Sequence, residues 1–233
     1  MPINSLINYL AGYEAKRKKL LKKAPEGALK NFLSVPFPTL DTPISELPVL
    51  AVDFETTGLD AKADKLLSVG FVAIEHEQIK LSSCYHQIIK TKNKLKESNV
   101  IIHQITDAQK DQGQPLRLVI EQLLKSLAGK VMLVHFARIE RQFLQQACFE
   151  LYGLVPDFPM IDTLVLAKRH LDKRGVAYDP SELRLSSLRQ KHQLPAHHGH
   201  NALNDAIATA ELLLAQVNSK TKADDLQLKD LIL

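Results

Sequence analysis

The sequence predicts an α/β fold, with a mixed central sheet flanked by helices and a helical extension in front. Three observations carry this. Three strand candidates follow one another, Val49–Glu55, Leu66–Ile74 and Ser82–Ile89, as in an antiparallel meander. Helices then alternate with a short apolar strand. Before all of them, five prolines (Pro25, Pro36, Pro38, Pro43, Pro48) break up a stretch that cannot hold long regular structure.

The elements follow in order. Residues 3–23 read as a helix, with Leu6, Leu10, Leu20 and Leu21 among many lysines. Thr56-Thr57-Gly58 ends the first strand. Pro115 starts a helix whose apolar side carries Leu116, Ile120, Leu123, Leu124 and Leu127, and Gly129 stops it. Val131–Val134 is a buried strand, and a helix runs from about Ala137 to Tyr152, ended by Gly153. Further helices are predicted over about 162–171, 181–193 and 201–218. The organisation expected is a basic helical extension and Pro-rich connector (1–46), one domain (47–218) and a C-terminal tail (219–233).

The chain has 233 residues and a net charge of +4, and its 45% hydrophobic content excludes wholesale disorder. The charge is unevenly placed. Residues 1–30 hold seven basic and two acidic side chains, so the remainder sums to about −1. Cys84 and Cys148 are too few for a disulfide scaffold or a cysteine zinc site, which implies a reducing, cytoplasmic setting. No apolar run approaches the ~18 residues of a membrane span. The N-terminal basic cluster follows the short apolar stretch instead of preceding it, unlike a secretory signal.

Certain carboxylates stand where they cost energy. Asp53 and Glu55, two apart in a strand, share one face, while Leu50, Val52 and Phe54 take the other. Taken alone, an Asp-x-Glu pair reads as a solvated strand end. Glu140 lies within about 60° of Phe143, Leu144, Ala147 and Leu151, in the middle of its helix's apolar stripe. Asp205 sits on the side of an apolar helix that carries Ala202, Ala208 and Leu212, where small residues permit close approach to a sheet. Four acids on three elements, all oxygen donors, suit Mg²⁺ or Mn²⁺ and fit zinc poorly. Two such ions about 4 Å apart are a clamp for phosphodiester cleavage.

Three motifs make a resemblance explicit. Asp53-Phe54-Glu55-Thr56-Thr57-Gly58-Leu59-Asp60 resembles the first exonuclease motif of the DEDD superfamily, the group that includes the proofreading epsilon subunit of bacterial DNA polymerase III. His135-Phe136-Ala137-Arg138-Ile139-Glu140, followed by Phe143-Leu144, resembles the second, and His200-Asn201-Ala202-Leu203-Asn204-Asp205 the third. Their order and spacing match over about residues 48–217. His200 stands five residues before Asp205, and Asn201 occupies the place of the tyrosine branch's Tyr, so the chain resembles the histidine, DnaQ-like branch.

The resemblance implies a ribonuclease H-like sheet and a 3′-5′ exonuclease that releases 5′-mononucleotides from DNA 3′ ends. It implies two divalent cations, Mg²⁺ or Mn²⁺, held by Asp53, Glu55, Glu140 and Asp205, with His200 as the general base. Imidazole titrates near neutrality, which suits that role. It also implies that Thr56, Thr57, Gly58 and Leu59 hold the terminal nucleotide, with Leu59 against its base. His103, in His103-Gln104-Ile105-Thr106, and Phe143 stand as pocket walls or as ordinary packing. Asp162 reads first as the cap of the helix after it.

Two departures bear on the chemistry. The family's second motif usually ends in Asp, and Glu140 carries one methylene more, a shift of about 1.5 Å. Phe136 replaces the usual small polar residue after the histidine. The alternatives are an RNA 3′-end trimming enzyme of the same superfamily, or a non-catalytic module that binds nucleic acid or a partner protein. The basic extension offers a nucleic-acid tether, a partner-docking helix or a helix packed on the domain. Lys90, Lys92, Lys94 and Lys96 alternate in a probable loop. The tail Gln227–Leu231 faintly resembles a sliding-clamp-binding peptide, a pattern that arises easily by chance.

Overall fold

The computed structural model describes residues 3–91, 105–175, 177–219 and 226–233. His103 and the lysines at 92, 94 and 96 fall outside them. Helices α1 (Ile3–Leu21) and α2 (Ala28–Ser34) come first. Strands β1 (Val49–Thr56), β2 (Leu66–Glu75) and β3 (Gln78–Ile88) form the meander, with β3 starting four residues earlier than the sequence pattern suggests. Next come α3 (Asp107–Asp111), α4 (Leu116–Leu127), β4 (Val131–Val134), α5 (Arg138–Tyr152), β5 (Met160–Asp162) and α6 (Thr163–Arg174). The chain ends with α7 (Leu185–Lys191), α8 (Ala202–Asn218) and α9 (Leu228–Leu231).

The sheet order is β3-β2-β1-β4-β5. β1 pairs antiparallel with β2 and parallel with β4, so the sheet is mixed and β1 is central. Buried on both faces, β1 reads as a near-continuous apolar run broken by its two acids. Leu50, Val52 and Phe54 enter a core shared with α4 and α5. Val49 and Ala51 enter a second core with Ala210, Leu213 and Val217 of α8.

Gly70 sets how α8 meets the sheet. It lies opposite Asp53 in the register, and a Cβ there would stand 2.2 Å from the Ala202 carbonyl carbon. Only a residue without a side chain lets the first turn of α8 reach the strand. The small residues near Asp205 serve the close approach anticipated from the sequence.

Both flanking segments contribute to the cores. Leu29, Phe32 and Leu33 of α2 are at most 1% exposed, and Phe32 packs against Phe158 with ring centroids 5.4 Å apart. Their i, i+3, i+4 spacing is helical, and the span between prolines has room for two turns. Arg17 is buried, pairs with Glu14 and donates to the Leu33 carbonyl, tying α1 to α2. Lys16 reaches Asp157 at 2.8 Å. The tail returns as well: Leu228 and Leu231 are buried, and the Leu228 and Lys229 amides donate to the Thr42 and Leu40 carbonyls. The side chains that a clamp-binding peptide would present are inside the protein.

Two smaller differences have local causes. β5 is three residues long, below the length at which alternation is legible. The helix expected over 181–193 is a short 3₁₀ turn, Pro180–Leu183, and then α7, because Arg184 between them is extended. Among the described residues, no helix is long and apolar enough to cross a membrane.

Candidate active site

The acids converge at the end of β1. One carboxylate oxygen from each of Asp53, Glu55 and Asp205 lies within 4.8 Å of the others. β1 supplies the first two from one face, and α8, seated on Gly70, brings Asp205 over them. Glu140 enters from the first turn of α5 and is buried, and among the described residues its Oε2 has no hydrogen-bond partner. An unpaired buried carboxylate oxygen is costly and calls for a cation or a proton.

The electrostatics agree. Burial pushes the Asp53 carboxyl well above the ordinary range, and Glu140, Asp205 and Glu55 add to the rise. Glu140 is pushed up to about 8, chiefly by burial, with its own helix amide opposing and Asp162 and Glu55 contributing. Asp205 is raised by burial and held back by His197 and the His200 amide. Crowded carboxylates that resist ionisation together are relieved by bound positive charge.

The loop before α8 is built around Asp205. His200 has φ +64°, a left-handed turn that aims its N–H at Asp205 Oδ2, 2.7 Å away. Asn201 caps α8 by accepting from the Asn204 amide. His200 is itself exposed. His197, in the same loop, puts Nε2 2.9 Å from Asp205 Oδ1. No spacing rule signals that contact, because it depends on how the loop folds back.

The loop after β1 is braced by Asp64, also missed from sequence. Asp64 accepts from the Thr57 hydroxyl and the Asp60 amide, and Thr57 Oγ1 accepts from the Lys65 amide. A Cβ on Gly58 would meet the Asp64 carboxylate at 2.4 Å. Thr56 Oγ1 donates to the Gly58 carbonyl. This bracing leaves Leu59 72% exposed at the tip. Phe143, offered as a pocket wall or as packing, is 2% exposed and belongs to the core. Thr106, three residues past His103, caps α3 with Gln109 in a capping box.

Asp162 does more than cap. It accepts from the Leu164 and Val165 amides at the start of α6 and from the Phe136 and Ala137 amides at the entry to α5. His135 Nδ1 lies 2.8 Å from Thr163 Oγ1, tying the same corner together. Phe136 is held at φ +75° and is 46% exposed. Such a conformation costs a bulky residue roughly 1 kcal/mol or more.

Known proteins resemble this chain. The RNase T family model, described as exonuclease, matches residues 50–213. A PolC-type DNA polymerase III of Thermotoga maritima is 30% identical over 182 residues, 78% of this chain and 13% of the relative. A 3′-5′ exonuclease DinG of Staphylococcus haemolyticus is 27% identical over 167 residues, 70% of this chain and 17% of the relative. This chain therefore spans less than a fifth of these relatives. Among solved structures, exonuclease X in complex with 5′ overhanging duplex DNA superposes with a TM-score of 0.58 at 20% identity, covering 78% of this chain and 98% of that one.

Proposed function

The chain belongs to the RNase T/DnaQ-like family of 3′-5′ exonucleases, and from that premise we propose that it removes 5′-mononucleotides from the 3′ end of DNA at the carboxylate centre on β1, α5 and α8. The observation that carries this reading is the convergence of Asp53, Glu55 and Asp205, with the buried Glu140 whose Oε2 has no hydrogen-bond partner among the described residues. All the donors are carboxylate oxygens, which fits Mg²⁺ or Mn²⁺. Asp53, Glu55 and Asp205 would hold one ion, and Asp53 with Glu140 a second. When bound, two such ions acidify the attacking water and neutralise charge on the phosphate and the leaving 3′-oxygen.

The chain's own residues do the rest. The His200 imidazole accepts the water's proton, and the exposure of His200 gives it access to solvent. The braced turn Thr56-Thr57-Gly58 offers backbone to the terminal nucleotide, and Leu59 projects to wedge against the base. DNA is favoured over RNA because the PolC-type relative is named as a DNA polymerase and the superposed exonuclease X is bound to duplex DNA.

The test compares end-labelled DNA and RNA oligomers of matched sequence, single- and double-stranded, with Mg²⁺, Mn²⁺ or chelator. Metal-dependent release of mononucleotides from DNA, abolished by Asp53→Ala, is the expected result. Faster degradation of RNA would move the assignment to RNA trimming. Binding with no turnover under any metal would leave a non-catalytic module.

A further inference from the structure

A cavity of about 320 Å³ opens between the first turns of α5 and α6. Phe136, Arg138 and Arg141 line one side, and Leu164, Val165 and Leu233 the other. Its size falls at the lower end of small-ligand sites. The two arginines are three apart on α5 and so share a face. Among the described residues, neither guanidinium has a hydrogen-bond or ion-pair partner. Both sit at the helix N-terminal end, where positive charge opposes the macrodipole, so folding gives no reason for them to be there. Asp162 also borders the cavity, but its two oxygens already accept from four backbone amides.

Phe136 completes the arrangement. It is a large apolar ring, 46% exposed, in a left-handed backbone conformation that Asn or Gly would hold with less strain. An unpaired pair of guanidiniums next to an exposed aromatic face matches the chemistry of one nucleotide, a phosphate with a base to stack. Glu140 lies in the same first helical turn as Arg138 but projects from a different face, so the cavity and the buried carboxylate flank one turn of α5.

We infer that this cavity is a second nucleotide subsite for the single strand that feeds the carboxylate centre, with a base stacked on Phe136 and a phosphate paired by Arg138 and Arg141. The inference rests on the exonuclease reading above. It is tested by equilibrium binding of a fluorescein-labelled oligothymidylate to the full chain in chelator, where nothing is hydrolysed, across a range of salt. R138Q/R141Q removes both charges with little change in helix propensity. F136N removes the ring and suits the left-handed backbone, so a purely structural Phe136 would not weaken binding when replaced.

The subsite is supported if Kd rises about tenfold or more in both variants, and if the double variant's slope of log K against log salt becomes shallower by about 0.7. It is overturned if Kd and slope stay within about twofold of the parent chain, or if the parent chain does not bind the oligomer. Mononucleotide release from the same oligomer with Mn²⁺ scores the exonuclease reading separately. A chain that degrades DNA yet is indifferent to these substitutions fails only the subsite.

Discussion

The Asp162 carboxylate accepts the Ala137 amide at 2.8 Å, so one residue fixes the start of two helices. It caps α6 in its own chain segment and clamps α5 from 25 residues away. Glu140 follows Ala137 by three residues, which makes the position of that carboxylate a consequence of Asp162.

Removing the clamp should therefore affect fold and site together. Asp162→Ala orphans amides at two helix starts, and it should cost about 3–5 kcal/mol in urea unfolding. Asp162→Asn keeps one acceptor oxygen and should fall between. Exonuclease rate per folded molecule should drop in both variants. An Asp162→Ala chain that is as stable as the parent would show that the clamp contributes little.

Gly70 predicts a sharper effect. A methyl group there meets Ala202 and Leu203 backbone at 2.2 Å, and backbone cannot rotate away. Gly70→Ala should destabilise by at least about 3 kcal/mol, and it should lift α8 enough to carry Asp205 from its partners. Thermal unfolding and metal-dependent activity should fall together. Loss of stability with full activity would mean that α8 tolerates displacement.

The raised Glu140 pKa gives a pH prediction with a definite sign. In the metal-free chain Glu140 is pushed up to about 8 from an ordinary 4.5. Between those values the folded state keeps a proton that the unfolded state has released. Stability from this group is complete below about pH 4.5 and is lost as pH rises through about 8. Asp53 and Asp205 are shifted in the same direction. In chelator, stability should fall by roughly 2–5 kcal/mol across that window. Glu140→Gln keeps the shape without the charge and should flatten the decline, as should Mn²⁺ on the parent chain. Identical pH slopes for parent and variant would exclude Glu140 as the source.

Much of the centre was legible in the sequence because its signals are local. Asp53 and Glu55 share a face by strand alternation, and Glu140 betrayed itself by sitting in an apolar stripe. The contacts of His197 with Asp205 and of Asp162 with Ala137 were not legible, since each depends on a loop path that no periodicity encodes. The second helix was hidden by its prolines, although Leu29, Phe32 and Leu33 carry a helical spacing. The basic charge of the extension pointed to partners, yet Lys16 and Arg17 are engaged in holding α1 to the protein. Charge counts record sign and number, but not which charges packing has already used.

Two histidines attend Asp205, and they should separate cleanly in kinetics. His200 gives its backbone N–H to Oδ2 and is itself exposed, whereas His197 Nε2 is turned onto Oδ1. His197 Nε2 is engaged by the carboxylate, so that nitrogen orients Asp205 and does not face the water. His200→Ala should lower kcat by about 10²–10⁴ and remove the fall in rate on the acid side, where imidazole is protonated. His197→Ala should keep that limb and lose no more than about tenfold in kcat, because its role is to orient an acid. If the two results came out exchanged, His197 would be the base and the exposed His200 would be a substrate contact.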